Sequence, residues 1–233
     1  GTFGFQRVGD DAKLPSNHTT STFMPSWVLS AYGRIWCGGI SGDTQTVYFS
    51  DLLAGTDFRN GSAGYLNLQE VLPNGDPVVA AAAHNGYIIF FGRRNTAIYA
   101  NPLDTASLTL VEVLSNVGCI ARDSVQSIGT DVLFLSDAGV RSLQRVIQEK
   151  SLPMRDISKN VRDELMSAVA SETDLTKIKS IYYERDAIYL LTLPTTRFVY
   201  CFDTRAALQD GSMRVTIWDS LEPKAFAVTQ DRN

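Results

Sequence analysis

From Trp27 onward the chain repeats one arrangement: a run of small or apolar residues, a tight turn, a dense apolar run, a second turn and a third apolar run. In "WVLSAYGRIWCGG" the first turn is Tyr32-Gly33-Arg34, and the pattern returns in "VVAAAAHNGYIIFFG" with its turn at His84-Asn85-Gly86. It recurs in "SVQSIGTDVLFLSD", turning at Gly129-Thr130-Asp131, and in "IKSIYYERDAIYLLTL", turning at Glu184-Arg185-Asp186. The third runs are "TVYFSD", "TAIYAN", "GVRSL" and "RFVYCFD", reached through "GISGDTQ", "GRRN", "SDAG" and "TLPTT". These connectors carry the turn chemistry that joins antiparallel strands. A fifth copy begins at "AFAVTQDRN".

The equivalent turn positions Gly33, Gly86, Asp131, Asp186 and Arg232 are separated by 53, 45, 55 and 46 residues. That is the period of propeller blades, not of coiled coils or helical repeats. In a propeller the innermost strand of each blade lines a crowded axis, where small residues belong. "VVAAAAHN", "SVQSIGT" and "AFAVTQD" supply them, and "WVLSAYG" is mixed. The second strand is buried on both faces between neighbouring blades and should be nearly all apolar, as "GYIIFFG" and "DAIYLLTL" are. The segments "GYLNLQEVL", "LTLVEVLS" and "MRVTIWDSL" are assigned to outer, fourth strands.

One segment departs from the β period. In "RDISKNVRDELMSAVASETDLTK" the residues Val161, Leu165 and Val169 recur every four positions, Ser158 is placed to act as an N-cap, and "SETD" closes the run. The expectation is a helical insertion at about 156–172, a helix over 158–170 standing where the third blade should supply its outer strand. It would cover an exposed strand edge or dock a neighbouring subunit. The fold class expected is therefore mainly β: a β-propeller of four recognisable blades plus part of another, with one helical insertion, all within residues 1–233. Four copies and a fragment either close a five-bladed ring with residues 1–24 or belong to a longer chain, and the second is the expectation.

Composition narrows the chemistry. The 233 residues carry a formal net charge of −4, which argues against a broad basic footprint for nucleic acid. No run approaches the ~20 apolar residues of a bilayer-spanning helix, and "GTFGFQRVGDD" lacks the blocks of a signal peptide. A cytosolic protein or a particle component is expected. Cys37, Cys119 and Cys201 lie in or beside apolar segments with no CxxC spacing, so buried, inert thiols are expected and neither disulfides nor a metal site. His18 and His84 are read as solvated loop residues. Asp43, Asp131, Asp137 and Asp186 all fall at turns, where aspartate bonds its own backbone, and are read as turn formers in preference to catalytic acids. No catalytic residue and no cofactor is assigned.

Arginines offer the candidate contacts. Arg93-Arg94 in "GRRN" would be a solvated turn, a subunit contact or a phosphate contact; Arg141, Arg145 and Lys150 flank the helix-bearing region and could meet phosphates or an acidic partner. Arg93, Arg94, Arg162 and Glu164 are the candidate subunit-contact residues.

The run "VLSNVGCIARDSVQSIGTDVLFLSDAGVRSLQ", Val113–Gln144, resembles the central repeat of the tail nozzle or tail-tube proteins of short-tailed phages, also called head-completion or stabilisation proteins. In that group a glycine-containing segment precedes "SV", a short turn, an apolar strand of the type "VLFLSD", and "GV" with an apolar close. "IKSIYYERDAIYLLTLPTTRFVYCFDTR", Ile178–Arg205, and "GRIWCGGISGDTQTVYFSD" are similar to the same group. The resemblance implies a propeller in a virion tail, a homo-oligomeric ring (a hexamer) around the DNA exit channel, other tail and portal-adaptor proteins as partners, and only transient contact with DNA. Propellers of other function remain the alternative: a sugar- or protein-binding module, or a glycosidase. "SDAG" at Ser136–Gly139 is a faint Asp-box likeness, but its spacing fails.

Overall fold

The computed structural model describes residues 13–19, 21–129, 131–143 and 157–228. The apolar runs of the four repeats become strands, because burial of β-branched and aromatic side chains suits a pleated surface. Trp27–Ala31 (β1), Arg34–Ile40 (β2), Asp43–Phe49 (β3) and Gly64–Asn67 (β4) form the first sheet. Val78–His84 (β5), Tyr87–Gly92 (β6), Thr96–Ala100 (β7) and Thr109–Leu114 (β8) form the second. Gln126–Ser127 (β9), Val132–Ser136 (β10) and Gly139–Ser142 (β11) form the third. Lys179–Tyr183 (β12), Ile188–Leu193 (β13), Phe198–Ala207 (β14) and Met213–Trp218 (β15) form the fourth.

Every sheet is an antiparallel meander in chain order, and the expected innermost strands β1, β5, β9 and β12 are each the edge of a separate sheet. The protein is mainly β, with four antiparallel sheets and one short α-helix among the described residues. Its chain divides into two compact units, residues 1–116 with the first two sheets and residues 117–233 with the others.

In the first unit the β1–β2 and β5–β6 hairpins close through Tyr32-Gly33 and Asn85-Gly86, with positive φ at both residues of each pair. That is the primed two-residue turn whose twist matches the strands. The two sheets then pack face to face. Trp36 and Phe90 are fully buried with ring centroids 6.1 Å apart, and Trp36 also meets Phe49 at 5.1 Å. The Trp27 indole N–H donates to the Val78 carbonyl at 3.0 Å, joining β1 to β5. A Cβ at Gly38 would come within 2.6 Å of the Trp27 ring, so glycine is what lets the indole lie against β2. Leu68 and Leu72, from the connection to β5, complete this core.

The second unit repeats the packing with one change. Leu133, Leu135 and Val140 of the third sheet meet Tyr189, Leu191, Tyr200 and Phe202 of the fourth. Gln126 Nε2 donates to the Ser180 carbonyl at 3.2 Å, and the buried Tyr189 hydroxyl donates to the Ser124 carbonyl at 2.7 Å. No fourth strand follows β11 among the described residues. A 3₁₀ turn (Lys159–Val161) leads instead into the helix Arg162–Ala170 (α1), which buries Leu165, Ala168 and Val169 in the same core. Ser158 does not cap it through its side chain; the Ser158 hydroxyl accepts the Val140 N–H at 3.1 Å and so ties the helix entrance to β11.

Four expectations are corrected. His18 is not a solvated loop residue: its ring lies edge-on to Tyr48, centroids 5.2 Å apart, with Nε2 2.8 Å from the Tyr48 hydroxyl. Arg141 is buried in β11 and so is no surface contact, while Arg145 and Lys150 lie outside the described residues. The second strands are not equally enclosed: β10 is wholly buried, whereas Ile188 and Leu190 of β13 are half-exposed. The described part of the expected fifth copy, residues 225–228, is not a strand. All three cysteines are free and buried, and burial pushes the Cys37 thiol up to about 12 and Cys119 up to about 11, which keeps both protonated.

Removing a packed ring should cost far more at a two-sided position than at a half-exposed one. Phe90→Ala should lower the unfolding free energy by about 3–5 kcal/mol. Leu190→Ala should cost less than half of that, both read from urea denaturation at unchanged m-value.

Candidate interaction site

Strand polarity gathers specific loops at each end of the first unit. At one end lie the two primed hairpin turns and the β3–β4 and β7–β8 connections. The hairpin turns and the β7–β8 connection form a cleft of about 440 Å³ lined by Tyr32, Gly86, Asn101, Pro102, Leu103 and Asp104. The Tyr32 hydroxyl donates to the Tyr87 carbonyl at 2.8 Å and bridges the two hairpins; burial raises the pKa of that phenol.

The same end of the unit carries exposed apolar side chains: Leu53 is 86% accessible, Leu103 64%, Leu52 46% and Tyr87 41%. Leu53 adopts the left-handed conformation, φ 58°, with its N–H donating to the Gly33 carbonyl at 2.7 Å. A branched residue there costs roughly 1–2 kcal/mol and persists only where its surroundings impose it.

Those surroundings are polar and extensively bonded. The buried Arg34 guanidinium donates to the Ser50 carbonyl at 2.8 Å and the Ser62 hydroxyl at 2.9 Å, gripping both ends of the β3–β4 loop. Asp51 accepts the Ser62 N–H and hydroxyl, each at 2.8 Å. Asp57 accepts both the side-chain and backbone N–H groups of Asn60 and the Arg59 N–H. Asp104 caps the short 3₁₀ turn behind Leu103, accepting the Ser107 hydroxyl at 2.6 Å. These donors favour the ionised carboxylates and depress the pKa values of Asp51, Asp57 and Asp104. The loops are therefore rigid supports for exposed leucines.

The arginines singled out from the sequence lie elsewhere. Arg93 and Arg94 form the β6–β7 turn at the opposite end of the second sheet, beside a cleft of about 250 Å³ lined by Pro73, Asn74, Gly75 and Pro77. Their backbone is held by the buried Asp76 carboxylate, which accepts the N–H groups of Arg93 at 2.8 Å, Arg94 at 3.1 Å and Asn95 at 2.9 Å. A Cβ at Gly92 would stand 2.5 Å from the Asp76 oxygen, so the staple requires glycine there. Both arginine side chains are exposed, with no ion pair among the described residues. Glu172 does the same for the β13–β14 turn, accepting the Thr195 N–H at 2.9 Å and its hydroxyl at 2.6 Å.

Arg162 and Glu164 lie on the exposed side of α1 in the second unit. Glu164 is close enough to Tyr200 to help burial raise the pKa of that phenol, to about 12.

The turn aspartates are not assembled into a pair. Asp43 accepts the Tyr48 hydroxyl at 2.7 Å, Asp131 accepts the Val132 N–H and the Ser142 hydroxyl, and Asp137 is exposed at the far end of β10 from Asp131. Among the described residues no group of three or more His, Cys, Asp or Glu is placed to hold a metal ion, and no helix is long and apolar enough to cross a membrane.

No protein-family model and no curated protein sequence matches the chain. Solved structures do. Raptor of Chaetomium thermophilum aligns with a TM-score of 0.50 at 11% identity, covering 84% of this chain and 16% of Raptor. Hsv2 of Kluyveromyces lactis aligns at 0.46 and 11%, covering 84% of this chain and 61% of Hsv2; a second Hsv2 structure with loop 6CD complete gives 0.45, 9%, 84% and 62%. The chain thus spans less than two thirds of each. The likeness to Raptor is one of fold alone, and the lower scores add nothing to it.

The depressed carboxylates give the site a pH dependence with a definite sign. A folded-state pKa below the unfolded value, about 3.9 for aspartate, stabilises the loop above that pH; the contribution disappears as pH falls through the depressed value. A carboxyl ¹³C titration should place the Asp57 midpoint well below 3.9, and Asn60→Ala should move it upward.

Proposed function

We propose that this chain is a non-catalytic binding module of the β-propeller type, docking a protein partner through the hairpin-turn end of its first unit. One observation carries the reading: Leu53 is held in a strained left-handed conformation with its side chain in solvent, at the same end of the unit as the exposed Leu52, Leu103 and Tyr87. Strain and exposure of an apolar side chain both oppose stability, and an apolar cluster rimmed by polar loops is the surface a protein partner covers. Pairwise face packing of meander sheets at the blade period supports the propeller arrangement. The buried carboxylates Asp76 and Glu172 are engaged by turn donors, which favours a structural role for them over acid–base chemistry.

The resemblance of Val113–Gln144 to the tail nozzle and tail-tube proteins supports a narrower reading. In it the protein is a virion component of a short-tailed phage, the partner is a neighbouring copy in a ring around the DNA channel, and Arg93, Arg94, Arg162 and Glu164 belong to loop and helix contacts between subunits. An acidic chain suits a channel through which DNA slides, since each phosphate contact would add salt-dependent affinity.

Light scattering and native mass spectrometry on the purified protein test both levels. A ring should appear as a discrete oligomer, and Leu53→Asp with Leu103→Asp should weaken assembly by about 2 kcal/mol or more while leaving the melting temperature unchanged. A monomer that cleaves a glycan in an Asp131- or Asp186-dependent manner would overturn the proposal, as would an oligomer indifferent to the double substitution.

A further inference from the structure

The face of the first sheet turned away from the second sheet is covered by residues 13–19 and 21–24. Leu14 and Phe23 of that segment pack with Cys37, Ile40, Tyr48 and Phe58. At its margin opens a cleft of about 340 Å³ whose wall includes Ser16, Asn17, Tyr48, Phe58, Arg59 and Tyr65.

Three features of this cleft point to one kind of ligand. Tyr65 stands directly opposite Tyr48 on the neighbouring strand, yet its ring is 66% exposed, which leaves an aromatic plate in solvent. Arg59 is oriented by a bond from its Nε to the Leu14 carbonyl at 2.9 Å, and its two terminal nitrogens have no partner among the described residues. Asn17 is fixed by donating to the Tyr48 hydroxyl at 3.1 Å, and that hydroxyl in turn donates to Asp43 at 2.7 Å. The exposed polar groups are thus held by buried ones, while Phe58 and Tyr48 form an apolar floor.

We propose that this cleft binds an acidic saccharide. The face of a sugar ring would lie on Tyr65, a uronate carboxylate would take the planar guanidinium fork of Arg59, and ring hydroxyls would meet Asn17 and Ser16. A single oriented guanidinium matches one carboxylate; a nucleic-acid strand calls for a row of cations, and Arg59 is the one cation among the described lining residues. The inference goes beyond the docking reading and does not depend on it.

Titration calorimetry and saturation-transfer NMR on the full chain test it with tri-galacturonate, its carboxyl-reduced counterpart and adenosine monophosphate as probes. Tri-galacturonate should bind, and the carboxyl-reduced sugar should bind about tenfold more weakly. Arg59→Lys and Tyr65→Ala should each weaken binding by about tenfold or more, with Tyr65→Phe within about twofold of the parent. Both positions are exposed, so the variants should keep the parent circular dichroism and melting temperature. The proposal is overturned if tri-galacturonate does not bind at millimolar concentration, if the reduced sugar binds equally, if both variants bind like the parent, or if the nucleotide binds more tightly. Leu53→Asp with Leu103→Asp should leave the sugar affinity unchanged, which separates this result from that of the docking test.

Discussion

The structure depends on covering the second strand of each sheet from both sides. A single four-stranded meander has two faces and cannot bury both alone; Trp36 and Phe90 supply the contact by which the first two sheets solve the problem for each other. The fourth sheet presents one face to the helix-bearing third sheet, through Tyr189, Leu191 and Tyr200, and leaves Ile188 and Leu190 half-exposed on the other.

Loops follow from this scaffold. With the strands fixed by apolar packing, the turns need their own stabilisation, and buried carboxylates provide it. Asp76 and Glu172 both come from the segment that leads into the first strand of a sheet, and both gather the donors of the turn between its second and third strands. Asp51, Asp57 and Asp104 perform the equivalent service at the other end of the first unit. A carboxylate that accepts several N–H groups fixes a loop without a large core, and this lets short connections carry exposed side chains such as Leu53 and Leu103 in defined positions.

The helix shows how local and tertiary terms combine. Val161, Leu165 and Val169 have helical spacing, and Leu165 and Val169 are in fact buried with Ala168 in the second unit's core. The cap did not follow the local rule: Ser158 is drawn to the unpaired N–H of Val140 on β11, because a buried strand donor needs an acceptor more than an exposed helix end does. His18 is a similar case. In a polar stretch it reads as solvated, yet Tyr48, 30 residues on, supplies both an aromatic edge and a hydroxyl for it.

The sequence by itself determined the four meanders, their turns and the position of the helix. These are encoded within a few residues, by apolar alternation and by turn residues such as Gly33 and Asn85-Gly86 that accept positive φ. Tertiary structure alone decided which faces are covered, that Arg141 is buried while Arg93 and Arg94 are exposed, that the exposed Leu53 and Leu103 stand at the same end of the first unit, and that Tyr65 and Arg59 share a cleft. Leu53 and Leu103 are 50 positions apart, and nothing in either local pattern marks them as neighbours. The reason is physical: strand formation answers to neighbours along the chain, whereas a site is made by side chains that only the packing of one sheet on another brings together.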